Sequence, residues 1–171
     1  MAAYFVITEP TRSEQWLNGA ANPVSWVKGV NDGIAFFDVE MARLSTDGLT
    51  LVARNVPASN TSLNIFLQDV PAGDDYFLMF VNSTHGLMYS SSARFTVLAA
   101  GATLSGKSHP SPISGVETVT VSGAPNPTLP FATTFAAVGS GAIPSWGNPA
   151  QVWAIAGALM WCLLGAAWTL W

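Results

Sequence analysis

The chain has one cysteine, Cys162, in 171 residues. No disulfide can form within it and no cysteine cluster can hold zinc, so any fold rests on its core alone. Charge is scarce too. Asp, Glu, Lys and Arg make up 9% of the residues, against about 25% in an ordinary globular domain. The bases Arg12, Lys28, Arg43, Arg54, Arg94 and Lys107 are scattered, and the formal net charge is −4. Nucleic acid is excluded as a partner on that count, because phosphate neutralisation needs clustered Lys and Arg.

Catalytic groups are also thin. The two histidines, His85 and His109, fall in an expected loop and a low-complexity stretch. Neither has the N-terminal placement an oxidative copper site requires, and no G-x-S-x-G elbow accompanies them. Asp74-Asp75 is the only adjacent carboxylate pair. Neighbours on a strand point to opposite faces, whereas glycosidase carboxyls must flank one bond. No catalytic set, no cofactor and no metal is expected. The opening "MAAYFVITEP" has no charged region followed by an apolar stretch, so a secretory reading expects a leader upstream of it.

What is present divides into three zones. Residues 1–98 read as an all-β module, because short alternating runs are separated by turn residues every 8–12 positions or so, the mark of a sandwich. The expected strands begin at 4–7 and 24–28. Phe37, Val39 and Met41 then alternate with polar neighbours, and residues 49–54 follow. "SLNIFLQ" puts Leu63, Ile65 and Leu67 on one face, with Asn64 and Gln68 on the other. "YFLMFV" is apolar on both faces, as a central strand would be, and Phe95 and Val97 close the set. Seven strands with this spacing point to an immunoglobulin/fibronectin-like β-sandwich. Residues 99–151 are rich in Ser, Thr, Pro and Gly, the composition of a glycosylated stalk, although "GVETVTVSG" could add a strand. Residues 152–171 carry no charge and match the reach of a hydrophobic helix across a bilayer core of about 30 Å.

That tail lacks the basic flank of a permanent span. A glycosylphosphatidylinositol (GPI) attachment signal needs small residues, a polar spacer of about 8–12 residues and an apolar end. Ser140-Gly141-Ala142, the spacer 143–151 and the tail 152–171 supply all three. Attachment is expected at Ser140, with Gly139 as the neighbouring choice.

"FVITEPTRSEQWLNG", "PVSWVKG", "LQDVPAGDDYFLMFVNS" and "YSSSARFTV" occur in an order that resembles the fungal Ser/Thr-rich GPI-anchored membrane family. Its N-terminal module is shared with yeast cell-wall β-glucan synthesis proteins of the killer-toxin-resistance type. The resemblance covers residues 4–98, with the stalk and tail following in the expected order. It implies a secreted, non-catalytic glycoprotein of the cell surface or wall, tied to the membrane by a glycolipid, with wall β-glucan as its expected contact. Two other readings stay open: a polysaccharide-active enzyme completed by residues upstream, and a single-span membrane adhesion protein.

Asn60-Thr61-Ser62 and Asn82-Ser83-Thr84 are N-glycosylation sequons beside expected turns, whereas Asn126-Pro127-Thr128 is excluded by its proline. Trp16, Trp26 and Tyr89 could form a sugar-stacking platform. Trp26 shares a strand face with Val24 and is expected in the core, while Trp16, flanked by polar residues, and Tyr89 are the candidate carbohydrate contacts.

Overall fold

The computed structural model describes residues 4–12, 14–29, 32–105 and 109–136. They form eleven strands and no helix: β1 (Phe5–Glu9), β2 (Gln15–Leu17), β3 (Ala21–Lys28), β4 (Phe36–Arg43), β5 (Leu49–Pro57), β6 (Ser62–Gln68), β7 (Gly73–Asn82), β8 (Leu87–Ser91), β9 (Phe95–Leu98), β10 (Thr118–Ser122) and β11 (Thr133–Thr134). Two sheets make a sandwich-like, all-β fold. The smaller runs β1-β3-β6-β10; the larger runs β11-β5-β4-β7-β9-β2, with β8 paired to β7.

Period-two alternation decides which side chains enter the core. On β6, Leu63, Ile65 and Leu67 are buried, and on β4 so are Phe37, Val39 and Met41. Across the gap, Val24 and Trp26 of β3 meet Leu78 and Phe80 of β7 within the same core cluster. Aromatic rings fill one half. Phe37 stacks on Phe80 at 4.3 Å between centroids, and Trp26 stands edge-on to both at 5.3 and 5.2 Å. Such offset and T-shaped pairs contribute about 0.5–1.5 kcal/mol each beyond the area they bury. In the other half Trp16 packs on Phe95 at 4.3 Å.

All seven expected strands are present, and "YFLMFV" is central, lying between β4 and β9. Four more strands appear. β2 pairs in parallel with β9, Trp16 opposite Val97, and β8 lies beside the end of β7. β10 and β11 come from the segment expected to be a stalk. The packed unit continues to Ala136 rather than ending at residue 98. The reason is local alternation inside a biased composition: Val119 and Val121 are buried, while Thr118, Thr120 and Ser122 face out.

The expected polar face of β6 also needs correction at Asn64, which is 3% exposed. Its Nδ2 donates to Ile113 O at 2.9 Å and its Oδ1 accepts from Ile113 N at 3.0 Å. Asn64 N also donates to Glu117 O at 2.9 Å. The approach to β10 is therefore clamped over β6, and a polar side chain on an outer face becomes buried.

Candidate functional site

Five buried polar side chains, Glu14, Asn18, Asn22, Asp38 and Asn64, are used on the backbone. Glu14 receives Thr11 N at 2.8 Å and the Trp16 indole Nε1–H at 3.1 Å on its two oxygens. Asn18 donates to Val70 O and Leu98 O and accepts from Val70 N, joining the end of β2 to two distant segments. Asn22 holds the turn before β3 through Leu17 N, Leu17 O and Ala20 O. Asp38 accepts from Asn55 N at 2.8 Å and from the backbone N–H and hydroxyl of Ser83. Asn55 has φ 59°, a left-handed conformation that Asn tolerates better than most residues, and Asp38 fixes it there.

Of the Asp74-Asp75 pair, Asp74 is exposed and Asp75 is engaged. Asp75 accepts from Ser45 N at 2.7 Å and from Arg43 Nε at 3.0 Å. Hydrogen bonding from Ser45, joined by the Arg43 guanidinium, lowers its pKa to about 2. The guanidinium also lies 4.9 Å from the Tyr76 ring centroid. Tyr76 donates its hydroxyl to Pro71 O at 2.6 Å, and burial pushes its own pKa up. Glu40 differs from these acids. It is 9% exposed on β4 between cross-strand neighbours Leu51 and Met79, and burial, with the Asp38 charge adding, raises its pKa.

The sequence candidates do not converge. Trp16 is fully buried between the sheets, so its ring has no face for a sugar; Glu14, one of the polar flanks that suggested exposure, accepts its indole N–H. Tyr89 is half-buried, with Tyr4 edge-on at 5.6 Å and Phe5 at 6.0 Å. Its hydroxyl accepts from Asn82 Nδ2 at 3.4 Å. Tyr4, 42% exposed, is the more open ring of that cluster and was not singled out from the sequence. Trp26 is in the core, as expected, at 2% exposure.

Asn82 ends β7 as the first residue of a turn. Its Oδ1 accepts from Thr84 N at 3.1 Å and His85 N at 3.2 Å, the local pattern by which Asn opens turns. Asn60 is exposed in the turn before β6, beside a cleft that Glu117 and Phe135 also line. His109 sits with Nδ1 3.2 Å from Gln15 O, and His85 is exposed. Ser140, Gly139 and the tail 152–171 lie outside the described residues. Among the described residues no helix is long and apolar enough to cross a membrane.

A cleft that no sequence signal announced lies between β5, β10 and the segment 124–132, lined by Thr50, Asn126 and Phe131 among others. Its residues come from a Ser/Thr/Pro-rich stretch and from a strand far away in sequence, so only the folded chain brings them together. No protein-family profile, no curated protein and no solved structure matches the chain. The class of protein is accordingly given by the fold itself: an all-β sandwich of two sheets.

Proposed function

We propose that this chain is a non-catalytic extracellular module with an immunoglobulin/fibronectin-like fold. It is anchored by GPI at the cell surface and acts in fungal wall organisation through contact with β-glucan. The observation that carries this reading is the use made of Glu14, Asn18, Asn22, Asp38 and Asn64. Each is buried, and each ties down loop or strand backbone. Groups spent in this way hold shape, which suits a module that displays surfaces rather than one that moves protons. The fold assignment draws support from strand order and from Tyr76. Its hydroxyl reaches back to Pro71 O at the entry to β7, as the tyrosine corner of immunoglobulin-like sandwiches does. The anchor rests on the small triplet at Ser140, the spacer and the uncharged tail.

The test is phosphatidylinositol-specific phospholipase C applied to intact fungal cells expressing the chain behind a secretory leader, with an epitope tag after Trp171. Release of an untagged module into the medium, and its sedimentation with insoluble β-glucan, are expected. A mature surface protein that keeps the tag would replace the glycolipid by a membrane span.

A further inference from the structure

At one end of the sandwich an aromatic cluster joins the two sheets. Tyr4, just ahead of β1, stands edge-on to Tyr89 of β8 at 5.6 Å, and Phe5 of β1 lies 6.0 Å from the same ring. The hairpin from β7 to β8 turns beside it through residues 83–86. Asn82 ends β7 at this turn. Its cross-strand neighbour is Leu87, 49% exposed, and its Nδ2 donates to the Tyr89 hydroxyl at 3.4 Å.

Three hydrogen bonds fix the plane of the Asn82 amide. Oδ1 accepts from Thr84 N at 3.1 Å and His85 N at 3.2 Å, while Nδ2 is turned toward Tyr89. Asn82-Ser83-Thr84 is a sequon, so Nδ2 is also the atom that accepts a sugar. It carries two hydrogens; one serves Tyr89, and the other is the one a sugar replaces. A group leaving that nitrogen starts alongside Leu87 and Tyr89, with Tyr4, 42% exposed, next to them.

These neighbours are uncharged and largely apolar, which suits the C–H face of a pyranose ring and the methyl of an N-acetyl group. The open aromatic surface is small, one exposed ring beside a half-buried one. A free saccharide gains too little there to offset the freedom it loses on binding. A sugar already bonded to Asn82 has lost most of that freedom, and its tether keeps it at high effective concentration.

We propose that the first N-acetylglucosamine of a glycan on Asn82 seats against Tyr89, Tyr4 and Leu87, so that the chain's own sugar covers this end of the sandwich. The assignment rests on the extracellular reading, which takes the chain past the glycosylation machinery. Transfer forms the bond from Nδ2 to the anomeric carbon, breaks the bond from that carbon to a lipid-diphosphate donor, and releases the amide proton. Tyr89, expected from the sequence as a carbohydrate contact, then touches sugar carried by the same chain.

The experiment expresses the full chain behind a secretory leader in a fungal host, with Asn60→Gln so that Asn82 is the one usable sequon. The mature protein is extracted in a phosphocholine detergent, and an endoglycosidase trims the glycan to a single N-acetylglucosamine. Thr84→Ala, which removes the sequon and keeps Asn82, supplies the sugar-free reference. The single sugar is expected to raise the unfolding temperature by about 2–4 °C, the size of one such contact in a chain of this length. Tyr4→Ser and Tyr89→Leu, each measured with and without sugar so that their own effects on stability cancel, reduce that gain. Tyr4 is exposed and lies ahead of β1, so its variant carries the test even where Tyr89→Leu does not fold. By NMR the sugar protons move upfield under the tyrosine rings, and return toward their free positions in Tyr4→Ser. An unmodified Asn82 overturns the proposal and counts against the extracellular reading with it. A glycosylated Asn82 whose sugar keeps its free shifts, or whose gain is unchanged in Tyr4→Ser, overturns the seat and leaves that reading standing. A seated sugar on a chain that keeps a tag after Trp171 supports the seat and refutes the glycolipid anchor alone.

Discussion

Cutting the chain after Leu98 removes everything the composition marks as stalk, and the fold makes that cut costly. It takes away β10, whose Val119 and Val121 are each 1% exposed. Burial of a valine side chain is worth about 1.5–3 kcal/mol, so the pair supplies roughly 3–6 kcal/mol. It also takes away both hydrogen bonds between Asn64 and Ile113, at about 1 kcal/mol net apiece. The loss of about 5–8 kcal/mol compares with a total of about 5–15 kcal/mol for a typical domain. A chain ending at Leu98 is therefore expected to be unfolded, or to unfold at less than half the urea concentration needed by a chain ending at Ala136. Both retain Trp16 and Trp26, buried in the core, so tryptophan fluorescence reports the same interior in each. Matching midpoints and matching slopes against urea would refute the reasoning and make residue 98 the true end of the module.

Tyr76→Phe deletes the hydroxyl bonded to Pro71 O; a loss of about 1–2 kcal/mol is expected in urea unfolding, and an unchanged midpoint would remove the corner from the stability of the fold. Glu40→Gln tests a raised carboxyl pKa. Such a group binds its proton more tightly when folded, so its contribution to stability falls as pH rises above 4.5. The variant should melt higher than the parent at pH 7 and converge with it in acid, while parallel curves would contradict the assignment. Asp75, lowered from 3.8 to about 2, acts with the opposite sign and loses its contribution as pH falls through that interval, which melting of Asp75→Asn across acid pH would expose as a flattened profile. Asn82 is expected to carry glycan more fully than Asn60, since Thr84 stands at its third sequon position and its turn is already formed; mass spectrometry of material secreted by a fungal host decides, and an unmodified Asn82 rejects it.

The strands that could be read from the sequence are those whose partners impose simple alternation. Leu63, Ile65 and Leu67 face one core, and Tyr76, Leu78 and Phe80 face the same core from the other sheet. β2 was illegible because three residues cannot display a period, and its place depends on pairing with β9. Trp16 misled through its neighbours: Glu14, a polar residue in any composition count, is turned inward to receive its indole N–H. Composition placed β10 in a stalk, and only the alternation in "GVETVTVSG" offered it as a strand. Two valines among threonines are enough when the site they fill lies at the edge of an existing sheet, and nothing local records that the edge is vacant. The cleft between β5, β10 and the segment 124–132 is legible only in three dimensions, since its walls come from separate parts of the chain.

Three strand pairs are parallel: β2 with β9, β10 with β6, and β11 with β5. Each joins segments far apart in sequence, Gln15 facing Thr96 and Thr133 facing Ala53, and such pairings slow folding because the loop between them must close first. The order of synthesis adds a second delay. When Leu98 has emerged, β6 still has an open edge, and β10 and β11 have yet to be made. At about 5–20 residues per second, the remaining stretch to Thr134 takes roughly 2–7 s. For that interval the nascent chain presents β6, which bears Leu63, Ile65 and Leu67, with one edge unpaired, the kind of edge through which chains associate wrongly. The Ser/Thr/Pro-rich segment is thus the last piece of the sandwich to arrive, and its arrival closes that edge.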